Sequence, residues 1–224
     1  MLRTSVVMDY QNVHLTARDL YGPDKPTHES LIHPVQFAAR AIQARNSKQR
    51  AGFEHAQLAK TLVFRGQHHV DYDWEQNRRS RDQAEQWKKD GADVELRDLK
   101  YRFQMSGSVP AKDIHGKKIP IGSPQEKGID VLCALACLRE AAKPDVDLVI
   151  LASRDTDLVP VLDELYDLRG SNPATYARIE TVAWFDRSLP SNYGNLRPTA
   201  PRQIWNTNLD RSCYDASIDR TNYR

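Results

Sequence analysis

DLVILASRDTDLVPVLDEL, residues 147–165, holds a strand, a polar turn and the start of a helix in succession. Asp147 to Ala152 is apolar after its first residue and shows no polar alternation, the pattern of a strand covered on both faces. Ser153-Arg154-Asp155 interrupts it, and Leu158 to Leu168 resumes with apolar residues at helical spacing. Strands buried on both sides belong to parallel sheets, which need helical crossovers.

The same alternation runs outward in both directions. Thr4 to Met8 is a short β-branched and apolar run that stops at Asp9, and the polar Tyr10-Gln11-Asn12 after it reads as a loop. A helix is predicted over Leu31 to Arg45, a strand over Gln57 to Phe64, a polar helix over Tyr72 to Asp90, and a strand over Ala92 to Leu96. Tyr101 to Ile121, broken by Gly107, Pro110 and Gly116, reads as an inserted loop or hairpin. Ser123-Pro124-Gln125-Glu126 matches a capping box with proline at the first helical position, so a helix is expected from Ser123 through Leu138. Ile179 to Phe185 is the last predicted strand. The expected class is a three-layer α/β/α fold with a mostly parallel central sheet. Residues 1–185 form its domain, and 186–224, rich in Asn, Ser, Pro and Arg, form an extension that wraps the surface or is partly mobile.

Composition narrows the setting. The chain has 224 residues, 40% hydrophobic and 28% charged, which fits a globular domain with a wet surface. No apolar run approaches the roughly 20 residues of a spanning helix, so no membrane partner is expected. Three cysteines, Cys133, Cys137 and Cys213, are too few and too odd for a disulfide framework, and a reducing, cytoplasmic compartment is the expectation. Cys133 and Cys137 read as small core residues. The net charge is only +2, so affinity for polyanions must come from charge distribution. Arg78, Arg79, Arg81, Lys88 and Lys89 stand against two acids within residues 78–89, and Lys112, Lys117 and Lys118 cluster further on.

The carboxylates carry the chemistry. In an open parallel sheet the carboxyl ends of the strands form the functional edge. Asp9 closes the first strand, and Asp155 and Asp157 lie just past the strand ending at Ala152. Asp130 sits in an otherwise apolar helix, where a carboxylate costs several kcal/mol unless it is paired or metal-bound. Lys127, three residues earlier, is a candidate pair on the same helical face. The alternative for Asp157, or else for Asp155, is the N-cap of the helix beginning at Leu158, and for Asn12 a cap of the loop after Asp9 or of the following helix. Clustered carboxylates repel one another, and an oxygen-only donor set selects Mg²⁺ or Mn²⁺ over zinc.

VVMDYQN (residues 6–12), EKGIDVLCALACL (126–138) and DLVILASRDTDLVPVLDEL resemble, in this order, the NYN domain, a branch of the PIN-like nuclease superfamily. The resemblance spans about residues 3 to 185 and rests on Asp9 with Asn12, on Lys127, Gly128 and Asp130, and on Ser153, Asp155 and Asp157. It implies a Rossmann-like parallel sheet, a Mg²⁺ or Mn²⁺ site and cleavage of RNA. Arg154 stands where such proteins commonly carry glycine, which makes the loop stiffer or sets a cation beside the scissile phosphate.

The expected activity is therefore a metal-dependent endoribonuclease acting on single-stranded or structured RNA. Asp9, Asp130 and Asp155 would hold metal, with Asp157 assisting and Asn12 orienting Asp9 or water. Lys127, Ser153 and Arg154 would line the phosphate, and Arg78, Arg79, Arg81, Lys117 and Lys118 would hold the RNA backbone. Tyr101 and Phe103 would stack bases or pack in the core. A non-catalytic RNA- or protein-binding module on the same fold is the alternative. A haloacid-dehalogenase-type phosphatase using Asp155 is a further one, disfavoured because Ser153-Arg154 separate it from the strand. Self-association into a homodimer is left open.

Overall fold

The fully buried run Val6-Val7-Met8 lies in Leu2–Asp9 (β1), a central strand of the sheet. The computed structural model describes residues 1–188 and 194–223. β1 lies between β2 (Ala56–Gln67) and β8 (Leu148–Ala152), and both pairings are parallel. β3 (Ala92–Asp98) flanks β2, β9 (Arg178–Trp184) flanks β8, and β10 (Asn206–Leu209) closes the far edge, giving the order β10-β9-β8-β1-β2-β3. All five pairings in this sheet are parallel. The three-layer parallel architecture read from the sequence is the architecture of the protein.

Side chains alternate across the sheet with period two. Val6 and Met8 of β1 and Leu148, Ile150 and Ala152 of β8 pack with α1 (Tyr10–Tyr21), α2 (Pro34–Ser47), α3 (Trp74–Lys89) and α6 (Arg211–Asp215). Val7, Val149 and Leu151 face the other way, onto α4 (Ile129–Ala141) and α5 (Val159–Ser171). Asp9 follows the parity of Val7, and Ser153 that of Leu151, so both are delivered to the α4 side.

Several boundaries differ from the sequence reading. Tyr10 does not open a loop: α1 begins there, capped by Asp9, whose side chain accepts from the Asn12 N–H. The capping box at Ser123 is not used, because Pro120–Gln125 forms β7, antiparallel to β4 (Lys100–Phe103). α4 starts only at Ile129, after Gly128 takes a left-handed conformation at φ 81° that suits glycine. Lys127 precedes that helix and is exposed, so it shares no helical face with Asp130. α4 itself is not buried all round, since Val131 and Leu135 point outward. Cys133 and Cys137 are buried among apolar neighbours, as expected.

The segment after residue 185, expected as an extension, supplies the sixth strand and α6. Leu209 and Tyr214 are fully buried, Asp219 accepts a hydrogen bond from the Trp87 indole at 2.8 Å, and Ile218 bridges to Ile32. The part of that expectation that falls on residues 189–193 and 224 lies outside the described residues.

On the α2 face of the sheet, Arg45 of α2 forms a forked pair with Glu180 of β9 at 2.7 and 2.8 Å, almost fully buried. Removing one partner of such a pair leaves a bare charge in the core and typically costs about 3–5 kcal/mol. Arg45→Ala is therefore expected to lower unfolding free energy by about that amount in urea titration, and the double change Arg45→Met with Glu180→Leu to restore most of it. Equal losses in both would contradict the assignment.

Candidate active site at the carboxyl edge

From β1 the chain builds outward to β2 and β3, then returns through α4 to the opposite flank. The reversal of strand order falls between β1 and β8. Crevices at such a point, beyond the carboxyl ends of the strands, are where open α/β sheets take ligands. The strand order is the one used by doubly wound nucleotide-binding folds, but the turn after β1 carries Asp9-Tyr-Gln-Asn in place of glycines, and a carboxylate there repels a pyrophosphate.

Met8 pairs with Ala152, so Asp9 and Ser153 are the next neighbours across the two strands. The Ser153 hydroxyl donates to Asp9 Oδ2 at 3.0 Å and accepts from the Asp155 N–H at 3.1 Å. The Asn12 N–H donates to Asp9 Oδ1 at 3.3 Å, and Asn12 Oδ1 accepts from the Arg154 N–H at 2.9 Å. Asp155 caps the short 3₁₀ turn Thr156–Leu158 by accepting from the Asp157 N–H at 3.0 Å. These bonds lock the β1 and β8 termini together and fix Asp9 and Asp155 in one corner.

Asp9 is 5% exposed. Burial pushes its pKa up to about 6; the Asn12 and Ser153 hydrogen bonds oppose the rise, and the charges of Asp155 and Asp130 add to it. Asp130, in the first turn of α4, is thus within electrostatic reach of Asp9, at a helix end whose dipole favours a carboxylate. The structure brings Asp9, Asp130 and Asp155 to one edge. Asp157 is exposed and contributes its backbone N–H.

Sequence reasoning missed Glu126. Its Oε1 accepts from the Gly66 N–H at 2.5 Å, and burial raises its pKa to about 7, with the Asp9 charge adding and Arg65 opposing. A Cβ on Gly66 would fall 2.4 Å from Leu99 and 2.6 Å from Glu126 Oε1, so a side chain there would displace this carboxyl from β2. The signal that hid it was the capping-box pattern, which assigned Glu126 to a helix start.

The basic residues divide. The Arg154 guanidinium donates to the Trp184 carbonyl at the end of β9, so it braces the neighbouring strand. Arg78 lies 5.6 Å over the Trp74 ring and Arg79 pairs with Glu75 at 3.7 Å, while Arg81 is exposed. α3 then descends toward the start of β3, carrying Lys88 and Lys89 to the sheet edge opposite the carboxylates. The stretch from Arg78 to Lys89 is therefore not one surface at the site. Lys117 pairs with Asp71 at 3.5 Å, and Lys118 sits 5.3 Å over Phe103.

Among the described residues, no three His, Cys, Asp or Glu side chains are grouped closely enough to hold a metal ion by themselves. No helix of the described residues is long and apolar enough to cross a membrane. No family model matches the chain, and no curated protein matches it. A crystal structure of a Vibrio parahaemolyticus protein of unknown function is similar at 17% identity, covering 81% of each chain with a TM-score of 0.41.

An acid whose pKa is raised by folding contributes stability below its unfolded value and loses it as pH rises through the folded one. For Asp9 that window runs from 3.8 to about 6, and for Glu126 from 4.5 to about 7. Asp9→Asn removes the charge that becomes unfavourable in this range. Its melting temperature relative to the parent is expected to be about 4 °C higher at pH 8 than at pH 5 in metal-free buffer. A difference that does not change with pH would contradict the buried-charge reading.

Proposed function

We propose that the protein is a metal-dependent endoribonuclease, with Asp9, Asp130 and Asp155 as the carboxylates that hold Mg²⁺ or Mn²⁺. The observation that carries this reading is a buried Asp9 whose pKa is raised to about 6 in the field of two further carboxylates, at the sheet's switch point. The residues fit such an ion in chemistry: the donors are all oxygens, and a cation would relieve the burial and repulsion that raise Asp9. Mg²⁺ commonly keeps several waters and takes only one or two protein carboxylates together with substrate phosphates, so Asp9 and Asp155 would be a sufficient protein donor set.

A divalent ion bound there supplies an activated water and counter-charge for a phosphodiester. The protein's own part is to fix and desolvate. Ser153 and Asn12 hold the Asp9 carboxylate in one orientation, and Asp155 is held by its turn and by Ser153. Glu126, with a pKa near 7, is a group at this edge able to carry a proton at neutral pH. The order of motifs that resembles the NYN domain supports RNA as the substrate. Asp157, exposed, would act only from the rim.

A second reading has its own observation. Both Asp9 oxygens already accept hydrogen bonds within the chain, and that circuit can be a structural pin in a module that binds without cutting.

Purified protein is expected to cleave single-stranded or hairpin RNA with Mn²⁺ and not with EDTA. Asp155→Asn is expected to lose at least about 100-fold in rate while unfolding at a similar temperature, the size expected for losing electrostatic stabilisation of a transition state. Cleavage unaffected by Asp155→Asn would assign it to a contaminant, and absence of cleavage on every RNA, with no Mn²⁺-induced rise in melting temperature, would favour the structural pin.

A further inference from the structure

Residues 99–122 leave the sheet after β3 and return just before α4, so both roots lie at the carboxyl edge. The Leu99 N–H donates to the Gln67 carbonyl at 2.8 Å, and Glu126 closes the return on Gly66. Between them β4 and β7 form an antiparallel ribbon, continued by the small hairpin β5 (Met105–Ser106) and β6 (Val109–Pro110) and a bridge between Lys112 and Lys118. An arm of this kind covers no core: Met105, Val109, Ile114 and Ile121 are all exposed.

What stiffens the arm is local. Tyr101 and Phe103 on one face of β4 pack against Tyr72, with ring centroids 4.7 and 5.5 Å from it, and the Tyr101 hydroxyl accepts from the His69 N–H at 3.2 Å. These rings brace the arm against the loop that follows β2. The sole acid of residues 99–122, Asp113, spends its Oδ1 on the N–H groups of His115 and Lys117 at 2.8 Å each, shaping the tip.

Against that one acid stand Lys100, Arg102, Lys112, Lys117 and Lys118, all exposed. The arm thus carries more positive charge than the whole chain, whose net is +2. Its return leads to Glu126 at the same edge, and the carboxylates there repel a phosphate backbone, so attraction for a polyanion at this edge has to come from the arm. Tyr101 and Phe103 are half-buried, with Lys118 over the Phe103 ring, a pairing of aromatic and cation of the kind that holds unpaired bases. Asp9 is 5% exposed, a recessed position that favours one flexible strand over a rigid duplex.

We infer that the β-ribbon arm of residues 99–122 is a clamp for single-stranded RNA, gripping the phosphate backbone and leading the strand to the Asp9–Asp155 corner. The choice of RNA rests on the ribonuclease reading, but the clamp is measured without catalysis.

Fluorescence anisotropy of a labelled oligouridylate of about 20 nucleotides, in EDTA across a salt series, reads it directly. Two variants test it: one replaces residues 104–119 by Asn-Gly, a two-residue hairpin turn that closes where Phe103 pairs with Pro120, and the other is Lys100→Gln with Arg102→Gln. Each is expected to weaken binding at least about tenfold and to flatten the slope of log affinity against log salt by about 0.7 per lost phosphate contact. Lys88→Gln with Lys89→Gln, on the far edge, is expected to bind like the parent. Parental affinity and slope in both arm variants, absence of binding by the parent at low salt, or equal affinity for an RNA or DNA duplex of the same length would overturn the clamp. Failure of Mn²⁺-dependent cleavage would instead strike the nuclease reading and leave these binding values as they are.

Discussion

The hydrogen bond from the Ser153 hydroxyl to Asp9 Oδ2, 3.0 Å across the ends of two neighbouring parallel strands, is the constraint on which the site depends. It exists because the register of β1 and β8 sets residues 9 and 153 side by side, and because period-two alternation turns both toward α4. A slip of one residue in either strand would send one of them to the opposite layer. Satisfied hydrogen bonds then allow a carboxyl group to remain in a nearly dry position.

That position is electrostatically uncomfortable. Hydrogen bonds from Asn12 and Ser153 do not offset burial, and Asp9 ends above the ordinary carboxylate range, with Asp130 and Asp155 adding to the rise. Glu126 is in the same state at the end of β2. Two carboxyls tuned upward at one edge are a common sign of a working site. The buried Arg45–Glu180 pair, on the α2 face level with Ile150, shows the contrast: there the compensating cation is built in. At the carboxyl edge a divalent ion would complete the balance, and the positively charged arm rooted beside it would bring the phosphates.

Much of this was legible in the sequence. The unbroken apolar runs ending at Met8 and Ala152 identified the central strands, and the polar residues directly after them located Asp9, Ser153 and Asp155 on one edge. Other features depend on tertiary context. The first turn of α1 carries polar Gln11 and Asn12, and its cap is Asp9 itself, the residue already read as a strand end. β10 reads Asn-Thr-Asn-Leu, a weak strand pattern that becomes a strand because β9 offers it an unpaired edge. Ser123 and Glu126 match a helix-start pattern that loses to pairing of residues 120–125 with β4. Glu126 is recruited to the site by a hydrogen bond to Gly66, 60 residues away in sequence, which no local pattern encodes. The basic run from Arg78 to Lys89 looks continuous in sequence, yet a helix that runs the height of the sheet distributes it over both edges.

The central claim is that these carboxylates share an oxygen-loving cation. Anomalous diffraction from crystals soaked in Mn²⁺ tests it most directly. A peak is expected about 2–2.4 Å from carboxylate oxygens of Asp9 and Asp155, with Asp130 bonding directly or through water. Saturating Mn²⁺ that leaves this corner without a peak, or gathers at another acidic patch instead, would contradict it.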